Sequence, residues 1–436
     1  MRTLWLLLAA AAMGAAQSRP PVFTTLYSFG NCIVFGVGYG PTTTLALGKD
    51  GALYGAAPGG TGGFSGCVFR LAPPAVPGGA WIESTIYTFL SSSGVNALSI
   101  LSADGVLYGT TANGGSRSCF GNAGCGTVFE LQPPPTPGGA WTGTTLYQFS
   151  GGSDGATPVA LVAGAHGVLY GVTSYGGGST CLATVNPGCG VIFALTPPAA
   201  PGGTWTEHVL YSFAADADGS SPSALKVSKA GDREILFGAT AAGGDVNCPG
   251  SLGQGCGVAF ALTSPPTAGQ PWIKTVIHTF TGGGSDGAGP SALAMGAEGA
   301  LYVATAGGGE RSCTGFNPSG CGTVVRLGLA GGWAETGMYK FQGAADGARP
   351  NGLVTGAGGL LYGTASGAGA NSGGTLFRLE PGKSNSPWAE TTLYSFTSAE
   401  GDTPLAGPTI APDGVIFGTT SAGGQYMNGT AYQLAP

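Results

Sequence analysis

Charge is scarce in this sequence: 8% of the residues are Asp, Glu, Lys or Arg, and the formal net charge is −6. Basic residues are nowhere clustered, so a nucleic-acid partner is not expected. Only three histidines are present, His166, His208 and His278, and none stands in a pattern with a serine or cysteine nucleophile. The sequence therefore predicts no catalytic residue and no metal-ligating residue, and an enzymatic function is the less favoured one.

Long apolar runs are also missing from the sequence after the N-terminal segment. No run there reaches the length of about 18 residues that is needed to span a bilayer. The chain begins with a charged segment, an apolar run from Leu4 to Met13 and small residues that end at Ala16. This order is typical of a secretory signal peptide, predicted over residues 1–16, although a retained anchor is the alternative. We expect a secreted or periplasmic protein with no integral membrane segment, folded as one domain over residues 22–436.

Glycine and proline are abundant, with 85 and 30 residues, but a hydrophobic content of 43% excludes a disordered chain. The glycines belong to an internal repeat that three patterns mark independently. Leu-Tyr-x-Phe occurs around Tyr27, Tyr87, Tyr147, Tyr211, His278, Tyr339 and Tyr394. Leu-Tyr-Gly-Thr-Thr or a relative starts at Leu53, Leu107, Leu169, Leu236, Leu301, Leu361 and Ile416, and Gly-Thr-Val-Phe-x-Leu ends at Leu71, Leu131, Leu195, Leu262, Leu327, Leu379 and Leu434. Each pattern counts seven units.

Each unit contains four short runs that favour β-strands, which we name A to D in chain order. In the second unit the runs are residues 95–102, 106–112, 125–132 and 141–149. Tight A–B turns such as Asp104-Gly105 are typical of hairpins. A single four-stranded sheet would leave both faces exposed, whereas a ring of seven buries them between neighbours. The sequence therefore predicts an all-β fold, a seven-bladed β-propeller of four-stranded antiparallel blades.

The predicted ring closes through its ends. The chain starts with an unpartnered D strand, residues 24–29, and ends after a C strand, residues 428–434. We expect these segments to pair and complete blade 7. A β-solenoid is the alternative fold, but its coils are usually shorter than these units and its ends are capped.

Ten cysteines in an exported chain predict disulfide bonds. Four pairs lie within B–C loops, and the remaining two cysteines are left for each other. The expected pairs are Cys119–Cys125, Cys181–Cys189, Cys248–Cys256, Cys313–Cys321 and Cys32–Cys67. Zinc is the alternative, but the spacings exceed those of usual zinc sites.

Strand parity places the D–A and B–C connections on one face. The D–A connections repeat an acidic turn, and we expect its carboxylates to ring the mouth of the central channel. The candidate ligand-binding residues are Asp154, Asp218, Asp286, Asp346 and Asp402. The alternative is that each Asp accepts hydrogen bonds from amides of its own turn. No cofactor is predicted, although calcium at a convergence of these acids is left open.

The motifs shown together in residues 107–131 and 146–149 resemble the tandem GloVer-repeat family of bacterial surface proteins. The resemblance covers nearly all of the chain after the signal segment. It implies an exported protein whose biochemical role is largely undefined, and the chain departs from anchored members by ending directly after its last strand. A weaker similarity to kelch propellers implies no active site.

The leading functional hypothesis is therefore an extracellular binding or interaction scaffold for a glycan or protein ligand, expected as a monomer. The alternative is a propeller hydrolase or lyase that acts on an extracellular polymer or glycan through the acidic ring at the channel mouth.

Overall fold

The computed structural model describes residues 21–30, 40–58, 66–89, 95–116, 118–119, 123–136, 138–178, 181, 188–200, 202–249, 253–267, 269–284, 286–310, 313, 319–328, 332–382 and 388–436. In these residues 28 β-strands form seven four-stranded sheets. Strand pairing is antiparallel throughout the sheets. The predicted seven-bladed propeller is confirmed.

Each of blades 1 to 6 uses four consecutive strands. Blade 1 contains β2 (Ala46–Leu47), β3 (Leu53–Ala57), β4 (Cys67–Ala72) and β5 (Ile82–Thr88); blade 2 contains β6 (Val95–Ala103), β7 (Val106–Asn113), β8 (Thr127–Gln132) and β9 (Thr142–Gln148). Blade 3 contains β10 (Ala156–Ala163), β11 (Leu169–Tyr175), β12 (Val191–Thr196) and β13 (Thr206–Ser212); blade 4 contains β14 (Ser220–Ala230), β15 (Arg233–Ala242), β16 (Val258–Thr263) and β17 (Ile273–Thr279). Blade 5 contains β18 (Gly287–Met295), β19 (Leu301–Gly308), β20 (Thr323–Gly328) and β21 (Ala334–Lys340); blade 6 contains β22 (Ala348–Thr355), β23 (Leu361–Gly367), β24 (Thr375–Glu380) and β25 (Ala389–Ser395).

Blade 7 joins the two ends of the chain. It contains β26 (Thr409–Ile410), β27 (Ile416–Thr419), β28 (Thr430–Ala435) and, as its D strand, β1 (Val22–Ser28). The register pairs Phe23 with Leu434 and Ser28 with Thr430. The predicted closure of the ring is confirmed, with the first strand starting two residues earlier than expected.

The A strands lie innermost and contact one another around the axis through side-chain hydrogen bonds. The Ser223 hydroxyl donates to the Pro290 carbonyl at 2.8 Å, and the Ser291 hydroxyl donates to the Pro350 carbonyl at 2.6 Å. The Thr409 hydroxyl of blade 7 donates to a carbonyl of blade 1 at 2.6 Å, and so continues the inner ring across the closure.

The hydrophobic core lies between the blades. Among the described residues seven buried clusters form, each between two neighbouring blades. The Phe of each Leu-Tyr-x-Phe segment ends the outer D strand and packs against the C strand of the next blade; Phe149, for example, lies 5.1 Å from Phe193 between ring centroids. Repetition of this contact explains why the motif recurs in every unit.

Local turn chemistry follows the sequence. In the A–B turn of blade 2, Asp104 and Gly105 have φ of 53° and 87°, which a two-residue hairpin of the primed type requires. Three short 3₁₀ turns lie among the described residues, at Ala165–Gly167, Asp216–Asp218 and Ala357–Gly359.

Candidate functional site

Disulfide bonds close B–C loops on one face of the propeller. Four of the predicted pairs are present, Cys119–Cys125, Cys181–Cys189, Cys248–Cys256 and Cys313–Cys321. We call these four B–C connections the stapled loops. The fifth predicted bond, Cys32–Cys67, involves Cys32, which lies outside the described residues. Because disulfides persist in oxidising compartments, the four bonds indicate that the protein resides in one.

Each stapled loop is also bonded to the next blade. The backbone N–H of Thr157, at the start of blade 3, donates to the carbonyl of Cys125 in blade 2 at 2.8 Å. Equivalent bonds join Ser221 to Cys189, Gly289 to Cys256 and Arg349 to Cys321. The second cysteine of each pair therefore fixes both its own loop and the entry of the following inner strand.

The D–A connections lie against the same loops. The Ser118 hydroxyl donates to the Ser150 carbonyl at 2.5 Å, and the Cα of Gly151 is so near the disulfide that an added Cβ would lie 2.2 Å from the Cys119 sulfur. The two kinds of connection thus share one face, as strand parity predicts.

Four of the five repeated aspartates contact the outer strand that precedes them in the chain. Asp154 accepts hydrogen bonds from the hydroxyl of Tyr147 at 3.2 Å and from the backbone N–H of Ser150 at 2.7 Å. Tyr147 belongs to the outermost strand of blade 2, so this acid lies at the outer side of the blade. Asp218, Asp286 and Asp346 make equivalent contacts with Tyr211, His278 and Tyr339. The expected position at the channel mouth is wrong, because the carboxylate turns back to its own outer strand.

The alternative role predicted for these acids, bonding the amides of their own turn, is observed. Asp218 accepts from the N–H of Ala214, Asp286 from that of Thr281 and Asp346 from that of Gln342, at 2.8, 2.9 and 2.8 Å.

Asp402 differs from the other four acids. Its carboxylate accepts from the Thr403 hydroxyl, and its backbone forms a bridge with Ala422. The acid that contacts the outer-strand tyrosine here is Glu400, which accepts hydrogen bonds from the hydroxyls of Tyr394 and Thr397. Sequence reasoning missed Glu400, which follows Tyr394 by six residues, whereas the other acids follow their aromatic residue by seven or eight.

A third residue comes from the next blade. We call the cleft between the outer strands of neighbouring blades a seam and name it by its two blades. In each seam this third residue belongs to the second of the two blades. It stands four positions before the Tyr, or His278, of that blade's Leu-Tyr-x-Phe segment. These residues are Glu83 in seam 7–1, Gly143 in seam 1–2, Glu207 in seam 2–3, Lys274 in seam 3–4, Glu335 in seam 4–5, Glu390 in seam 5–6 and Phe23 in seam 6–7.

Two seams bring carboxylates together beside a tyrosine. In seam 2–3, burial and then the charge of Asp154 raise the pKa of Glu207 to about 7, and the Glu207 Oε1 atom is buried without a hydrogen-bond partner. In seam 5–6, burial and the charge of Asp346 raise the pKa of Glu390, and the Asp346 Oδ1 atom is likewise buried and unpartnered. In both seams, burial and the charge of the neighbouring aspartate favour the neutral form of the glutamate.

Seam 3–4 carries the opposite charge. The ammonium of Lys274 lies 2.5 Å from Asp218 Oδ1 and is almost fully buried, with 3% of its side chain exposed. It also lies 4.9 Å from the centre of the Phe213 ring. Burial lowers the pKa of Lys274, against the effect of its aspartate partner.

Seam 4–5 is chemically distinct because His278 replaces the tyrosine. His278 Nε2 lies 3.3 Å from Asp286 Oδ1, and one ligand atom from each of His278, Asp286 and Glu335 lies within 4.8 Å of the other two. Burial tends to raise the pKa of Asp286, but the contact with His278 and backbone hydrogen bonds outweigh it and leave the pKa lowered. Imidazole and carboxylate groups are the side-chain types that can ligate zinc.

A comparison with protein families finds a match for the repeat. The family described as the Gloeobacter/Verrucomicrobia repeat matches residues 16–185 and 249–436, more than half of the chain. The protein belongs to the Gloeobacter/Verrucomicrobia repeat family. The resemblance predicted from the motifs is thereby confirmed, and no curated protein matches this member of the family in sequence.

Solved structures resemble this Gloeobacter/Verrucomicrobia repeat protein in fold. A chain of the mitotic checkpoint complex has a TM-score of 0.51 at 13% identity, with 99% of this chain and 98% of that chain covered. The PQQ-bound aldose sugar dehydrogenase of Streptomyces coelicolor has a TM-score of 0.43 at 15% identity, with 84% and 100% covered. At these identities the first likeness supports the fold alone, and the second carries no argument.

The membrane question has one structural answer. Within the described part of the chain, no helix has the length and apolar character needed to cross a bilayer.

Proposed function

We propose that this protein is an exported, non-enzymatic binding scaffold that holds a neutral glycan on the face of the stapled loops. The observation that carries this proposal is that the segment between the paired cysteines of each stapled loop is uncharged and is closed by its disulfide bond. Between the paired cysteines the sequences are FGNAG, LATVNPG, PGSLGQG and TGFNPSG, which contain no Asp, Glu, Lys or Arg.

The composition of the stapled loops fits a polyhydroxylated ligand. Each segment between paired cysteines contains a single side-chain amide, Asn122, Asn186, Gln254 or Asn317, and amides can both donate and accept hydrogen bonds. Phe120 and Phe316 add an aromatic residue to the sequence of two of these segments. Sites for small neutral molecules commonly combine apolar side chains with a few polar groups that fix orientation.

Rigidity supports a binding role. The disulfide closes each loop, and the carbonyl of its second cysteine accepts a hydrogen bond from the next blade. A loop that is anchored at its paired cysteines loses less conformational entropy when a ligand is bound. The repeated acids favour the same interpretation, because Asp154 and Asp218 are bonded to tyrosines and turn amides.

An oxidising compartment supports export, and residues 1–16 have the sequence of a signal peptide, although they lie outside the described residues. We therefore place the mature protein in the periplasm or outside the cell.

The test is a glycan array probed with the purified protein. In one variant, residues 120–124 and 314–320 are replaced by Gly and Ser at unchanged length, with the cysteines retained. The control variant replaces residues 133–139, a C–D connection of the opposite face, in the same way. We expect binding of neutral glycans by the parent and the control, and its loss in the loop variant.

Two results would overturn the proposal. One is normal glycan binding by the loop variant, and the other is no neutral glycan bound by the parent while a protein is captured through the same loops. Turnover of a bound polymer that is abolished by Asp286→Asn or Asp346→Asn would instead establish the hydrolase or lyase alternative.

A further inference from the structure

We propose that His278, Asp286 and Glu335 form a binding site for a divalent transition-metal ion, with zinc preferred, in the seam between blades 4 and 5. Three separate segments supply the ligands: the outer strand β17, the connection to blade 5 and the outer strand β21.

The spacing of the ligand atoms fits such an ion. Zinc ligands about 2.0–2.1 Å from the ion in a tetrahedral arrangement are about 3.3 Å apart. His278 Nε2 and Asp286 Oδ1 are separated by 3.3 Å, and all three ligand atoms lie within 4.8 Å of one another. Glu335 is exposed, and coordination requires its carboxylate to move closer to the other two ligand atoms.

The donors determine which cation is favoured. One imidazole and two carboxylates suit zinc, cobalt and manganese, whereas calcium takes about six to eight oxygen ligands and has little affinity for imidazole. Two carboxylates beside an imidazole also supply the negative charge that a divalent cation requires.

Asp286 is held in position by the protein. Its Oδ2 atom accepts hydrogen bonds from the N–H and the hydroxyl of Thr281 at 2.9 and 3.1 Å, and its Oδ1 atom accepts from the N–H of Gly287 at 2.7 Å. Groups that orient a ligand in this way strengthen metal sites. The Asp286 side chain is 8% exposed and that of His278 is 18% exposed, so the ion would be reached from the side of Glu335.

The other seams provide an internal comparison. Seam 5–6 contains two acids at the equivalent positions, Asp346 and Glu390, but it has Tyr339 where seam 4–5 has His278. The Tyr339 hydroxyl donates a hydrogen bond to Asp346, and burial raises the pKa of Tyr339 further above neutrality, so it offers no ligand at neutral pH. The histidine is therefore the residue that turns a structural seam into a metal site.

The experiment uses the full mature chain without a histidine tag, first stripped with EDTA. Isothermal titration with Zn²⁺ measures affinity and stoichiometry, and the visible absorption of bound Co²⁺ reports low-coordinate nitrogen and oxygen ligation. The variants are His278→Tyr, which installs the residue of most other seams, and Glu335→Gln. Ca²⁺ is titrated in parallel.

We expect one equivalent of Zn²⁺ in the parent, affinity at least about tenfold lower in both variants, and unchanged circular dichroism in His278→Tyr. The reciprocal variant Tyr339→His is expected to gain a second equivalent in seam 5–6. Zinc affinity equal in the parent and His278→Tyr would overturn the proposal. A preference for Ca²⁺ that is insensitive to His278→Tyr, or no second equivalent in Tyr339→His, would contradict the role assigned to the histidine.

Discussion

Val303 lies directly opposite Val325, at a pair position where the other six blades have glycine opposite an aromatic residue. Those pairs are Gly55–Phe69, Gly109–Phe129, Gly171–Phe193, Gly238–Phe260, Gly363–Phe377 and Gly418–Tyr432. The reason is space: a Cβ on Gly171 would lie 2.2 Å from the Phe193 ring. The two valines of blade 5 thus share the volume that one aromatic ring fills elsewhere.

The first prediction is that the two valines are coupled in stability. Val325→Phe alone crowds the ring against Val303 and should cost about 1–3 kcal/mol. Val303→Gly alone leaves a cavity and adds backbone freedom, and should cost about 2–3 kcal/mol. The double variant restores the common pair and should cost clearly less than the sum. Urea denaturation of all four proteins measures the coupling, and strict additivity would contradict it.

The second prediction concerns the buried pair of seam 3–4. Asp218→Asn leaves the Lys274 ammonium, 3% exposed, without a charged partner and should destabilise the protein by about 3 kcal/mol. Lys274→Met should cost less, because Asp218 keeps its hydrogen bonds from Tyr211 and Ala214. Chemical denaturation at neutral pH checks the order of the two variants. A larger loss in Lys274→Met than in Asp218→Asn would contradict this asymmetry.

The repeat made the fold predictable from the sequence. Three motifs with the same count determine the number of blades, and the unmatched strands at the two ends determine how the ring closes. Strand bounds followed from alternation and turn residues; β9, for example, was expected over residues 141–149 and lies at Thr142–Gln148. Local sequence signals were sufficient to predict the strands because every blade repeats the same strand and turn pattern.

The seams were not predictable in the same way, because their residues come from different units. The charge of Asp154 acts on Glu207 across a blade boundary. Nothing in the spacing of one unit shows that neighbouring outer strands lie side by side. His278 was interpreted as a substitution within the repeat. Its effect depends on Glu335, which only the packing of blade 5 on blade 4 brings near.

The third prediction is a pH dependence that arises from Glu207. Its pKa is about 7 in the folded protein against an ordinary value of 4.5, so the folded state binds more protons between these values. Stability from this group is therefore fully present below about pH 4.5 and is lost as pH rises through about 7. Asp154 and Tyr147 are the neighbouring titratable groups, and burial raises the pKa of Tyr147 away from this window.

Glu207→Gln removes the ionisation and tests this dependence. The variant should be more stable than the parent at pH 8, by about 1 kcal/mol because the site is partly open to solvent, and the difference should shrink toward pH 5. Thermal unfolding across this range measures it, with Glu298→Gln at an exposed A–B turn as the control. A parent and variant that differ equally at pH 5 and pH 8 would show that Glu207 is not the titrating group.

The last prediction concerns closure of the ring by β1. In seam 6–7 the ring of Phe23 stacks on Tyr394, with centroids 3.6 Å apart and planes within 2°, and β1 pairs along β28. Removal of residues 21–30 would expose the β28 edge and the aromatic side chains beneath it, so melting should fall by at least about 5 °C and self-association should increase.

A synthetic peptide of residues 21–30 should restore melting when added to the shortened chain, because the missing strand needs only backbone pairing and the Phe23 stack to dock. The same peptide with Phe23→Ser retains the backbone bonds and should restore melting only in part. A protein shortened to begin at residue 21 is the control for truncation itself. Equal stability with and without residues 21–30 would mean that the inner-strand bond from Thr409 to Leu45 and its neighbours close the ring by themselves.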